Sequence, residues 1–80
     1  MITLEKLIEI ISSVLEIEDD IDIDSSSDNI GEWDSMSQVL ITSEISELTN
    51  SKSDDIEELF EETSVRGIFN LLNDNNLIKV

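Results

Sequence analysis

Eighty residues carry 20 acidic and 4 basic side chains, a net charge of −16, and neither a cysteine nor a histidine. So acidic a surface repels nucleic-acid phosphate and anionic lipid and favours basic protein partners. The missing cysteines exclude disulfides and thiolate chemistry by the chain itself, and the missing histidines remove the commonest general base.

A hydrophobic fraction of 39%, two glycines and no proline suit a few packed helices joined by polar loops. The length predicts a single domain, residues 1–80, with a thin core. No apolar run has the length of a membrane span, and the first residues lack the pattern of a signal peptide, so the expected location is the cytoplasm.

Apolar residues at Leu4, Leu7, Ile8, Ile11, Val14 and Leu15 fall at helical spacing with one wet face, and Ile10 widens the stripe. They predict a first helix from Leu4 to Leu15 with Thr3 as its N-cap. Residues 16–34 then form a long connection. Ile17, Ile21 and Ile23 alternate with acidic residues, as in a strand, but a lone strand without a partner is not stable. The expectation is a loop pinned to the helices by Ile17, Ile21, Ile23 and Ile30, loosest over 25–29. Loops this long in small domains tend to be functional.

A second helix is predicted over Ser35–Leu48, with Met36, Val39, Ile41, Ile45 and Leu48 as its core stripe and Leu40 off centre. Residues 49–53 are a polar break. Ile56, Leu59 and Phe60 predict a short helix over 54–60, capped by Ser53 and helped by Asp54 and Asp55 in its first turn. The last helix opens at Thr63 or Ser64 and turns Val65, Ile68, Phe69, Leu71 and Leu72 inward. Gly67 within it costs about 1 kcal/mol against alanine and would permit a close helix crossing. Leu77, Ile78 and Val80 form an apolar tail able to fold back on the bundle. The predicted fold is all-α: three main helices and one short helix, up and down, with a long first loop.

Catalysis by this chain alone is not expected. A serine nucleophile needs a base, and Lys6, Lys52 and Lys79 are not near Ser35 in sequence. Paired carboxylates need a substrate cleft that so small a helical domain hardly provides. Asp20, Asp22 and Asp24 have the odd-position spacing of a calcium loop. Ser25 stands where that loop needs glycine, however, and Gly31 where it needs glutamate, so no metal site is expected.

Ser35 admits two geometries. It can be the N-cap, since Ser35, Met36, Ser37 and Gln38 fit the S-x-x-Q capping box. Alternatively Asp34 is the N-cap and Ser35 lies in the first turn with its hydroxyl free, at a helix end that favours a phosphate.

The segment Gly31-Glu32-Trp33-Asp34-Ser35-Met36, ending a long loop and opening a helix, resembles the attachment site of acyl carrier proteins. The resemblance spans nearly the whole chain: a first amphipathic helix, the W-D-S-M junction, the 53–60 turn and the T-S-V start of the last helix. It implies a four-helix acyl-carrier-like bundle. It also implies covalent 4′-phosphopantetheine on Ser35, flanked by Asp34 and Met36 and placed there by a phosphopantetheinyl transferase, to which any magnesium would belong. The cofactor would supply the sulfur the chain lacks, holding an acyl or aminoacyl group as a thioester.

The implied partners are an acyl-loading ligase or acyltransferase and a downstream synthase or transferase, in fatty acid, polyketide or specialised lipid metabolism. The carrier itself would be a non-catalytic monomer that binds no nucleic acid and does not insert into membranes. Partner contacts are expected at Trp33, Leu40, Glu44, Glu47, Glu57 and Glu58. Ser37, Gln38 and Leu40 stand where many fatty-acid carriers are acidic, which points to a specialised pathway. Trp33 is expected to be a half-buried anchor of the loop. Met36, Val39, Ile45, Ile56, Leu59, Ile68 and Leu72 are expected to form the core or line a cargo cavity. The rival reading is an acidic interaction adaptor without a prosthetic group, with Ser35 a mere cap.

Overall fold

The first helix, α1 (Leu4–Leu15), has the bounds its periodicity predicts. The Thr3 hydroxyl accepts the Lys6 N–H at 3.1 Å, closing one of the donors a helix start leaves open. The computed structural model describes residues 2–17 and 21–79. Two further helices follow, α2 (Ser35–Leu48) and α3 (Val65–Asp74). One hydrophobic core joins Leu7, Ile11 and Leu15 of α1 to Ile41 and Ile45 of α2 and to Val65, Ile68 and Leu72 of α3. The body measures 28 × 23 × 18 Å. Among the described residues no helix is long and apolar enough to cross a membrane.

A fourth helix does not form over 54–60. The chain makes two 3₁₀ turns, Lys52–Asp55 and Glu57–Phe60, broken at Ile56. An α-helix here would stack Asp54 on Glu58, Glu57 on Glu61 and Glu58 on Glu62, like charges four apart that destabilise it. The turns still bury Ile56 and Leu59, but Phe60 is left 58% exposed. Ser53 caps nothing; it is buried, and its N–H is donated to the Thr49 hydroxyl at 3.3 Å.

The core stripe of α2 also differs from expectation. Gln38, Ile41, Thr42 and Ile45 face inward, whereas Met36, Val39 and Leu48 join Leu40 at the surface. Three and four residues apart, the inward set is a proper helical stripe. The helix carries apolar residues on both faces, so composition alone does not select which face is buried. Thr42 tolerates burial by donating to the Val39 carbonyl at 2.8 Å, and Thr49, just past the helix, by donating to the Ile45 carbonyl at 2.8 Å.

Ser64 caps α3 by accepting the Gly67 N–H at 3.0 Å, while its own proton goes to Glu62 Oε1 at 3.1 Å. A Cβ at Gly67 would meet the end of the Glu62 side chain, which would have to move. Phe69 and Leu71 are only partly buried against the core.

In the first loop Ile21 is buried, and Ile17, Ile23 and Ile30 pack against the core as expected. Asp20 lies outside the described residues, as does Val80 of the tail. Residues 25–29 are tied to the start of α3 by backbone hydrogen bonds. Val65 N–H donates to the Ser25 carbonyl at 3.0 Å and Ser27 N–H to the Thr63 carbonyl at 2.9 Å, and Arg66 pairs with Asp24 at 2.6 Å. The loop is thereby sewn to the start of α3. The tail does fold back. It adds a two-residue strand pair that periodicity could not announce: β1 (Ile2–Thr3) runs parallel to β2 (Ile78–Lys79), with Ile2 opposite Ile78, both buried.

Candidate functional site

The Asp34–Ser35 alternative is decided by one hydrogen bond. Asp34 is the N-cap of α2, in extended backbone, and its Oδ1 accepts the Ser37 N–H at 2.9 Å. The Asp34 carbonyl accepts the Gln38 N–H at 2.9 Å, the first turn of the helix. Ser35 is therefore the first helical residue, and it is exposed. Its hydroxyl makes no hydrogen bond among the described residues, because the capping work is done by its neighbour.

The Ser37 N–H, at the positive end of the helix, holds the Asp34 carboxyl below its ordinary range. The Ser37 hydroxyl donates to the Glu32 carbonyl at 3.0 Å, fixing the last turn of the loop against the helix.

The capping-box reading of Gln38 fails, and this residue is the main one that sequence reasoning missed. Its side chain does not turn back toward the helix start. It goes inward and is 4% exposed. Its Oε1 accepts the Trp33 indole N–H at 2.7 Å; its Nε2 donates to the carbonyls of Leu59 at 2.6 Å and Glu62 at 2.7 Å. One amide thus ties the loop before α2, the helix itself and the segment before α3. A polar residue on the inward stripe, three positions after the serine, was the available signal.

Trp33 is more buried than a half-buried anchor, at 4% exposed. It lines a groove beside Ser35 of about 410 Å³ together with Asp34, Ser35, Gln38, Val39 and Phe60. Met36 is 78% exposed and Leu40 53%, and Val39 and Phe60, exposed as well, line the groove beside the serine. Glu44, Glu47, Glu57 and Glu58 are all exposed, but they are not one cluster. Glu47 borders a second groove between α2 and the 3₁₀ turns, whereas Glu44 borders one between α1 and α2.

Compared with protein-family models, curated proteins and solved structures, the chain finds no match. The site is read from its chemistry. Ser35 offers an unengaged hydroxyl at a helix N-terminus; α2 has no acidic residue within its first turn, though the Asp34 carboxylate at the cap already takes the Ser37 N–H. Backbone N–H groups and the helix dipole suit a phosphodiester on that oxygen. No imidazole or thiol exists to activate it, and no lysine lines the groove. The arrangement can present an attached group, and the one carboxylate lining the groove, Asp34, is engaged as the helix cap. Among the described residues no group of three acidic side chains is placed to hold a metal ion.

Proposed function

We propose that this protein is a phosphopantetheine-dependent acyl carrier whose attachment point is Ser35. The observation that carries the reading is the division of labour at the start of α2: Asp34 caps the helix, so the Ser35 hydroxyl is exposed and unengaged. The helical bundle and the W-D-S-M junction support it. In the attachment step Ser35 Oγ bonds to the phosphorus of the phosphopantetheine half of coenzyme A. The pyrophosphate P–O bond breaks, the adenosine bisphosphate half leaves with the electron pair, and the hydroxyl proton passes to a base on the transferase. When bound, the arm supplies a thiol that carries an acyl or aminoacyl group as a thioester.

The chain's own part is presentation. Asp34 and Ser37 fix the helix start, the dipole of α2 favours the phosphodiester, and the exposed Met36, Val39, Leu40 and Phe60 give partner enzymes an apolar foothold. A loading ligase or acyltransferase and a downstream synthase or transferase are the partners in this reading, and the exposed Glu44, Glu47, Glu57 and Glu58 would meet their basic side chains. Ser37 and Leu40, standing where many fatty-acid carriers are acidic, favour a dedicated pathway over general fatty-acid synthesis.

The test is intact mass after coexpression with a broad-specificity phosphopantetheinyl transferase. The carrier gains one arm, and Ser35→Ala abolishes the gain. An unchanged mass would replace this reading with that of an acidic adaptor that binds a basic partner, with Ser35 a mere part of the helix start.

A further inference from the structure

The groove beside Ser35 and the hydrophobic core lie on either side of one side chain. Gln38 lines the groove, yet it is 4% exposed; Ile41, three positions on along the inward stripe, and Leu59, whose carbonyl it bonds, are 0% and 2% exposed. Its amide bonds Trp33 on one side and the Leu59 and Glu62 carbonyls on the other, closing the seam between α2 and residues 59–62 at the Ser35 end. An alkyl chain passing from Ser35 into the core along this seam must displace that amide. The indole N–H and two carbonyls would then lose their partners, and an alkyl chain replaces none of them. Buried polar groups left unpaired are strongly disfavoured. Outside the bolt, the groove is mixed in character: Ser27, Asp34 and Thr63 face it alongside Val39 and Phe60. A long chain lying there would leave many methylenes in water.

We infer that Gln38 is the specificity-determining residue of this site: it bars the attached group from the helical core, so the site takes short or polar acyl groups and does not shelter long alkyl chains. This rests on the carrier reading of Ser35 for its biological meaning, but its physical content can be tested without it.

The chain has no cysteine, so Ser35→Cys creates a single thiol to which methyl, octyl and dodecyl thiosulfonates attach as disulfides without any transferase. The readouts are the methyl NMR signals of Ile41, Ile45 and Leu59 and the emission of Trp33. With Gln38 present, the core signals are the same for all three chains. In Ser35→Cys combined with Gln38→Met, which keeps the length of the side chain and removes the amide, the core signals shift progressively from methyl to dodecyl. Core shifts or a melting temperature that rise with chain length while Gln38 is intact would overturn the inference, whether or not the Gln38→Met protein folds. Failure of the transferase to modify Ser35 would instead overturn the carrier reading, so the two failures are separate.

Discussion

Asp34 and Ser35 are adjacent in sequence but have opposite duties, one spent on the backbone and one left for chemistry. Because Asp34 acts through a charge-assisted cap, its contribution depends on pH. Its carboxyl titrates below its ordinary value, held there first by the Ser37 N–H. A group whose pKa is depressed by folding stabilises the fold above its unfolded value, about 3.9 for aspartate, and the stabilisation is lost as pH falls through the lower folded value. Asp34→Ala should therefore lower the urea midpoint at pH 7, while Asp34→Asn, also a good cap, should leave it near wild type. Between pH 5 and the acid limit of the fold, wild type should lose its advantage over Asp34→Ala. A gap between the two that stays constant with pH would show that the ionised carboxylate is not the cap.

All three helices end the same way, without glycine. Glu16, Asn50 and Asn76 take left-handed backbone at φ 55°, 55° and 58°. In each case the next residue's N–H reaches back to a carbonyl five positions earlier: Ile17 to Ser12, Ser51 to Ser46, Leu77 to Leu72. Asparagine tolerates that conformation; glutamate does so at a cost of roughly 1–2 kcal/mol. Glu16→Gly should thus raise stability by about 1 kcal/mol, with a smaller gain for Asn76→Gly, both read by urea denaturation; a loss at position 16 would contradict the strain.

The same scale shows what could be read in advance. The bounds of α1 were legible because Leu7, Ile11 and Leu15 repeat on one face against a polar opposite face. Helix α2 was legible in extent but not in rotation, because Met36, Val39 and Leu40 are as apolar as Ile41 and Ile45. The choice of face goes with Gln38, whose amide partners Trp33, Leu59 and Glu62 lie outside the helix, whereas Thr42 and Thr49 are satisfied by carbonyls of α2 itself. Like charges dissolved the expected helix at 54–60, and the Ile2–Ile78 pairing joins residues too distant for any local pattern to register. Ser35 was visible from its Asp-Ser context; its exposure depended on which of two adjacent residues took the cap.

At the scale of the whole molecule the governing quantity is charge. Among the described residues there are two ion pairs, Lys6 with Glu9 at 3.3 Å and Arg66 with Asp24 at 2.6 Å, both with exposed partners. Such pairs contribute little each, and they leave a net charge of −16 on a body only 28 Å in its longest extent. At about 10 mM salt the screening length is roughly 30 Å, so most of these carboxylates repel one another; at about 1 M it is roughly 3 Å and they hardly interact. Unfolding spreads the charges apart, so low salt favours the unfolded chain. The melting temperature should rise by about 5–10 °C between those limits, the shift expected for about 1–2 kcal/mol in a domain of this size. Replacing Glu57 and Glu58 by glutamine should raise it at low salt and leave it unchanged at high salt, since the two side chains are exposed in the 3₁₀ turn and serve the fold only as charges. If the stabilisation comes from diffuse screening, magnesium and sodium should act alike at equal ionic strength. A melting temperature flat in sodium chloride but raised by low magnesium would instead locate the effect in a bound cation, and self-repulsion would not be what limits this fold.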